Sequence, residues 1–376
     1  MSRDRASSTR HLLELCAGYF VFYIATGVLV KYFTEVRRPP MSELAYLVSN
    51  TLGGSLVALG VVLVLGWWRM RSNRTVRVGP LEVPSEAAYI VPSGVCTAVV
   101  IPTTTLMYSL PISVMVAMVI MRGSIIVISR IVDAVQIRQG ILRRRVYAQE
   151  NWAVVFALLA VATNVVLLPA VGWLEGRGVR VAEPLGLARA LEDDPFQFLH
   201  SPAALTIMAL YATAYAVRIY LMNYFKNTRA PGVELDNKGF FAVEQIAASV
   251  TMAVALAFFA LAPARLGWRH PDLDALAGAL RAPDPWALLS GVPFGIVAFF
   301  SVFIFMFKGR TATFAGLVNR LTSLLAGTAA TLLMAGVFGS RFPSAQDWLS
   351  VGFILIAVGF LTVAERKRVE ELRAAG

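Results

Sequence analysis

Two arginines, Arg122 and Arg320, stand inside apolar runs that otherwise read as bilayer-spanning helices, VMVAMVIMRGSIIVISR (114–130) and FAGLVNRLTSLLAG (314–327). A guanidinium near the bilayer centre costs roughly 2.5–3.5 kcal/mol on insertion scales, and each flanking Ile, Val or Leu offsets about 0.3–0.6. Insertion is therefore possible, but the charge still needs a counter-ion, backbone carbonyls or a wet cavity. Two guanidinium forks facing one cavity would make an anion site, because their planar donors match carboxylate and phosphate geometry. On this reading Arg122 and Arg320 hold the anionic part of a small solute. Asn319 adds a directional hydrogen bond, and Ser124, Thr313, Thr322 and Ser323 are further polar contacts. The bland alternative is that each arginine braces helices by pairing with an interior acid.

The remaining charges in apolar runs are candidates for gating or coupling. Arg130 has Asp133 three residues along the same helical face, where the two can pair. Arg218 sits near one end of its run, where a long side chain can snorkel to the interface. Glu14, Glu43 and Glu244 fall near helix starts, which predicts interfacial solvation, although Glu14 and Glu244 can also serve as counter-ions to Arg218 or Arg320. With no carboxylate at mid-depth, solute exchange (an antiporter) is expected over proton coupling. His11, His200 and His270 are scattered, and no metal-ligand spacing, phosphate-cradling glycine loop or nucleophile elbow appears. No metal, cofactor or enzymatic activity is expected. Cys16 and Cys96 both lie in apolar runs and imply no disulfide framework.

These residues need helices to position them. Of 376 residues, 57% are hydrophobic and only 15% charged. Soluble proteins carry about a quarter charged residues, so lipid must replace water over most of this surface. The expected class is an all-α polytopic membrane protein. A span needs about 20 apolar residues, and ten stretches qualify: 11–33, 43–68, 87–109, 112–135, 151–173, 203–225, 239–261, 286–307, 312–336 and 347–364. Ser201-Pro202 and Asp284-Pro285 mark helix starts, and Leu110-Pro111 the hinge of a tight hairpin. Pro92 and Pro102 should kink the third helix. Loops 174–201 and 262–285 have room for short surface helices such as ALEDDPFQFL and LDALAGAL. The basic-then-apolar start resembles a signal peptide, but its apolar stretch is too long, so a retained first helix is expected.

With ten spans both termini share one side. Loops on that side hold twenty Lys and Arg and the opposite loops ten, which puts both termini in the cytoplasm. The net charge of +11 sits in these short clusters, so it reads as topology and not as nucleic-acid binding. The Ala/Arg-rich composition, without a eukaryotic sorting signal, points to a bacterial cytoplasmic membrane. Five spans plus five, with long loops in corresponding places, predict a duplication. Because five is odd, the second copy is inverted. The first repeat would be 1–173, the second 203–364, and 365–376 a cytoplasmic tail, all within one membrane domain. Laying 116–135 over 314–333 aligns Arg122 with Arg320. A monomer and a homodimer both fit this plan.

Ten helices in a five-plus-five inverted repeat with cytoplasmic termini resemble the drug/metabolite transporter superfamily, in its nucleotide-sugar-transporter-like branch. Met121-Arg122-Gly123-Ser124-Ile125-Ile126-Val127 is similar to an Arg-Gly-Ser/Ala-aliphatic stretch of that branch. Gly316-Leu317-Val318-Asn319-Arg320 is similar to the Gly-Ala-Leu-Asn-Lys motif of GDP-mannose transporters, whose Asn-Lys end contributes to the substrate site. The resemblance implies a similar role for Asn319 and Arg320. The family's Phe-Tyr-Asn-Asn nucleoside motif has no counterpart, since the seventh helix reads GFFAVEQIAAS, and arginine replaces lysine at 320. The expected function is thus a secondary transporter moving a small anionic metabolite by alternating access. The rivals are an amino-acid or small-metabolite exporter with structural arginines, and a membrane-embedded transferase acting on a lipid-linked substrate. The transferase would use Glu150 beside Arg143–Arg145. A scaffolding protein fits less well, because interior charges cost insertion energy without evident use.

Overall fold

The computed structural model describes residues 9–109, 114–143, 146–184, 201–268, 270–340, 342–343 and 345–374. Each of the ten apolar stretches is helical over most of its described residues. They are α1 (Thr9–Lys31, extended by a wider turn over Tyr32–Val36), α2 (Glu43–Val64), α3 (Ala87–Ser109), α4 (Val114–Arg138), α5 (Ala148–Glu175), α6 (Pro202–Asn227) and α7 (Asn237–Leu266), followed after a short α8 (Pro271–Arg281) by α9 (Pro285–Leu289), α10 (Gly291–Phe305), α11 (Ala312–Phe338) and α12 (Ala345–Ala374). Among the described residues eight helical segments are long and apolar enough to cross a membrane, and nine if the bent α5 is one span. The protein is an all-α integral membrane protein. The expected hairpin at Leu110-Pro111, the segment ALEDDPFQFL and Arg144–Arg145 lie outside the described residues. The segment LDALAGAL is helix α8.

Two elements depart from the sequence reading. VRVGPLEV forms a hairpin of β1 (Thr75–Val78) and β2 (Leu81–Pro84), turning at Gly79 with φ +61°. Glycine enters that left-handed region without a Cβ penalty, and the alternation around Gly-Pro was a legible signal. The tail expected after 364 is instead the continuation of α12, and its Glu365 and Arg368 are buried.

Both expected helix starts are capped. Ser201 Oγ accepts from Ala204 N at 3.3 Å, and Asp284 Oδ1 from Ala287 N at 2.9 Å. Asp284 also pairs with Arg37 at 2.7 Å. The Ala287 bond first, and Arg37 after it, hold this carboxyl below its ordinary range. A depressed carboxyl stabilises fully above its unfolded pKa, and the contribution is lost as pH falls through the folded one. Asp284→Ala should therefore cost about 1 kcal/mol at neutral pH. Thermal unfolding in detergent should show that difference shrinking in acid.

Helix neighbours follow a regular plan. α3 packs on α6 and α7, α10 on α1 and α2, α11 on α1, α4 on α6 and α11, and α5 on α12. The α2–α10 contact is backbone on backbone. A Cβ on Gly291 would lie 2.3 Å from the Asn50 carbonyl oxygen, and one on Gly295 2.6 Å from that of Gly54. Small residues let membrane helices approach so closely.

At the end bearing the termini, buried ion pairs tie the helix ends together. Arg310 pairs with Glu365, which also accepts from Thr9 at 2.9 Å, and Arg368 pairs with Glu150 at 3.2 Å. Beside the β-hairpin, Glu86 receives Arg229 at 2.6 Å and the amide of Asn73 at 2.6 Å.

Candidate functional site

A cavity of about 240 Å³ lies among α1, α2, α3, α6, α7, α10 and α11. Its wall is mixed: Tyr19, Tyr23, Tyr211 and Tyr215, the amides Asn50 and Gln245, several hydroxyls, and two guanidiniums, Arg218 and Arg320. Tyrosines four apart share a helix face, so Tyr19/Tyr23 on α1 and Tyr211/Tyr215 on α6 form two ring pairs, with centroids 5.4 and 4.8 Å apart.

Arg320 is held between them. Its helix is fixed at the start by Asp133, whose carboxylate accepts from Ala312 N at 2.8 Å and Thr313 N at 2.7 Å. The carboxylate also sits favourably at the positive end of the helix dipole. Arg320 Nη2 donates to Tyr215 Oη at 3.0 Å, and its guanidinium carbon stands 5.3 Å from that ring's centroid. Only 9% of Arg320 is exposed, its Nε has no partner, and no carboxylate pairs with it among the described residues. Its electrostatic neighbours include the four tyrosines and Arg218. A buried charge without a counter-ion is costly, so this fork is primed for an anion.

Arg218 differs. It does not snorkel, as its position in the run suggested, but is 8% exposed and forms a two-pronged pair with Glu244 at 2.9 and 3.0 Å. Nor is Glu244 solvated at an interface. It is fully buried and also accepts from Ser93 at 2.7 Å and Thr97 at 3.3 Å. The role of counter-ion to Arg218, one of the two roles open to it, is the one it fills. The physical reason is packing: α7 crosses α3 so closely that a Cβ on Gly94 would lie 2.6 Å from the Glu244 carbonyl. The carboxylate is thereby turned inward. Arg218 and Arg320 in the wall, with Glu244 bound behind Arg218, carry a formal charge of +1 between them among the described residues.

The expected convergence of Arg122 with Arg320 is not seen. Arg122 lines a separate cavity of about 150 Å³ among α4, α5, α11 and α12, with Thr328, Thr331, Asp347 and Ser350. Helices α4 and α11 run antiparallel, since Asp133 near the end of α4 caps the start of α11. Arg122 is therefore level with Gly327, whose Cβ would lie 3.8 Å from its Nη2. Seven residues separate Gly327 from Arg320, about 10 Å along the axis. On antiparallel helices, residues at matching positions come level only where the two paths happen to cross.

The other candidates scatter. Asn319 is buried one layer behind the cavity, donating at 3.1 Å to Ser301, which lines it, and its Oδ1 has no partner. Ser323, Ser124 and Thr322 bond to the carbonyls of Arg320, Met121 and Val318 in their own helices. Thr322 faces an apolar groove between α1 and α12. The expected Arg130–Asp133 pair is not formed: Arg130 donates to Asn151 at 3.0 Å, while Asp133 caps α11. Helical spacing allowed that pair, and the two orphan amides of α11 outcompete it. Glu14 pairs with Arg10 at 3.2 Å on the surface, away from Arg218 and Arg320. Glu150 binds Thr311 and Arg368, while Arg144 and Arg145 of the cluster expected beside it lie outside the described residues. The tyrosine frame was missed, although the spacing-four pairs in the first helix of each half were readable.

No family model matches the chain, and no curated protein matches it. Among solved structures, a crystal structure described only as that of a protein superposes with a TM-score of 0.53 at 16% identity. The match covers 96% of this chain and 99% of the other, so the two share a fold over nearly their whole lengths.

Proposed function

We propose that this protein is a secondary transporter of a small anionic solute, built as a five-plus-five inverted repeat, with Arg320 as the anion's anchor. The observation that carries this reading is the buried, carboxylate-free guanidinium of Arg320 in a cavity where it, Arg218 and Glu244 sum to a formal charge of +1. The fork can offer parallel donors to a carboxylate or phosphate, and Tyr215 holds it in position. The helix plan supports the repeat. Exchanging α1 with α6, α2 with α7, α3 with α9–α10, α4 with α11 and α5 with α12 turns the α3–α6 and α3–α7 contacts into α10–α1 and α10–α2. The same exchange turns α11–α1 into α4–α6 and leaves α4–α11 and α5–α12 unchanged, and all of these contacts occur. Ten spans follow if α4 and the bent α5 each cross once. The ion pairs at the terminal end close that side and would break when the repeats rock. A volume of about 240 Å³ suits a small metabolite better than a nucleotide sugar.

The test is thermal unfolding of the purified protein across carboxylates, phosphates, sulfonates and amino acids. An anion at a hundred times its dissociation constant should stabilise the wild type by about 2.7 kcal/mol. Arg320→Gln should abolish the response, whereas Arg122→Gln, altered in the other cavity, should keep it. An unchanged response in Arg320→Gln, or stabilisation by zwitterions alone, would return the arginines to a bracing role and favour an exporter.

A further inference from the structure

Arg218 faces the same cavity as Arg320, and Glu244 at present occupies its fork through two bonds. Glu244 has further donors in Ser93 and Thr97 on α3. The groups around it are few. From α6 come Arg218 and Tyr215, from α3 Cys96 beside the two hydroxyls, and from α11 Arg320, which acts on Arg218. Its own helix adds Gln245, and α2 and α10 contribute only uncharged polar groups, Asn50, Ser55 and Ser301. Glu244 is the one carboxylate here among the described residues.

Charge balance then restricts the cargo. A poorly hydrated cavity is most favourable when neutral. From +1, one monoanion reaches neutrality unaided. A dianion overshoots by one negative charge unless Glu244 gains a proton. A protonated Glu244 no longer needs Arg218, whose fork is then free for a second anionic group.

We propose that Glu244 is an exchangeable counter-ion, that Arg218 and Arg320 together hold a dianionic solute, and that each dianion enters with one proton. A hydronium ion of the bulk solvent gives up one O–H bond and leaves water, while that proton forms an O–H bond on the Glu244 carboxylate. The two N–H···O bonds of Arg218 pass from Glu244 to the solute, and no other covalent bond changes. This inference rests on the anion-transporter reading and names its solute class and its coupling. It replaces the expectation of exchange, which assumed that no carboxylate reached the site.

The test uses two non-titrating probes on the purified full chain, ethanedisulfonate as dianion and ethanesulfonate as monoanion. Wild-type affinity for the dianion should strengthen about tenfold per unit of falling pH, one proton per anion, while that for the monoanion stays flat. Glu244→Gln should bind the dianion independently of pH, as tightly as the wild type does in acid. Should that variant fail to fold, Arg218→Met with Glu244→Met keeps the cavity charge and decides the matter. The double variant should bind ethanesulfonate normally and lose its preference for the dianion. A flat wild-type profile, the same slope in Glu244→Gln, or an undiminished preference in the double variant overturns the coupling alone. Binding of either probe by Arg320→Gln, or by neither form of the protein, overturns the anion site beneath it.

Discussion

Glu365→Gln should destabilise the protein by about 3–5 kcal/mol, the usual cost of leaving a buried ion without its charged partner. Arg310 is 1% exposed and meets Glu365 twice, through Nε at 2.8 Å and through Nη2. It also meets the Lys308 carbonyl at 3.4 Å and the Phe307 ring at 5.3 Å, neither of which carries a counter-charge. The glutamine keeps the shape and one acceptor but removes the counter-charge. Arg310→Met combined with Glu365→Met should recover most of the loss, because a buried pair replaced by apolar side chains of similar volume is often neutral. Chemical denaturation of the two variants in detergent measures both. A single variant within 1 kcal/mol of the wild type, about the value of an exposed pair, would mean that water reaches Arg310.

Gly291→Val should be at least as damaging. The new Cβ would stand 2.3 Å from the Asn50 carbonyl oxygen, 2.5 Å from the Gly54 amide nitrogen and 2.9 Å from the Gly53 carbonyl carbon. All three are backbone atoms, so no rotamer change relieves the contact. α2 and α10 must separate, which also breaks the Asn50–Ser290 bond of 3.2 Å beside the cavity. Overpacking a flexible core typically costs about 1–3 kcal/mol, and a rigid backbone contact should exceed that range. Gly60 is the control, since nothing lies within 4 Å of its Cβ position. Gly60→Ala should be neutral or stabilising by up to about 1 kcal/mol through helix propensity. Loss of folded yield in Gly291→Val with Gly60→Ala intact is the expected result. Equal stability of the two would show that α2 and α10 do not touch as described.

The sequence alone determined the class and the helices. Apolar runs of span length are set by transfer energies that act locally, and the ten stretches became helices over most of their described residues, α3 with both ends as expected. The caps at Ser201 and Asp284 were legible for the same reason, because a cap bonds within its own first turn. The charge of Arg320 inside an apolar run was visible too, and only the structure shows that it is buried against a cavity. What the sequence left open was which charge meets which. Arg130 and Asp133 had the spacing to pair, and only the arrival of the α11 start gave Asp133 better donors. Glu244 looked interfacial because its distance from a helix start says nothing about which way its face turns. Its meeting with Arg218 was decided by the close crossing of α3 and α7. Likewise Arg122 and Arg320 align in sequence, yet α4 and α11 run antiparallel and bring Arg122 level with Gly327. Pairings across helices depend on crossing, depth and facing at once, and those are properties of the tertiary structure.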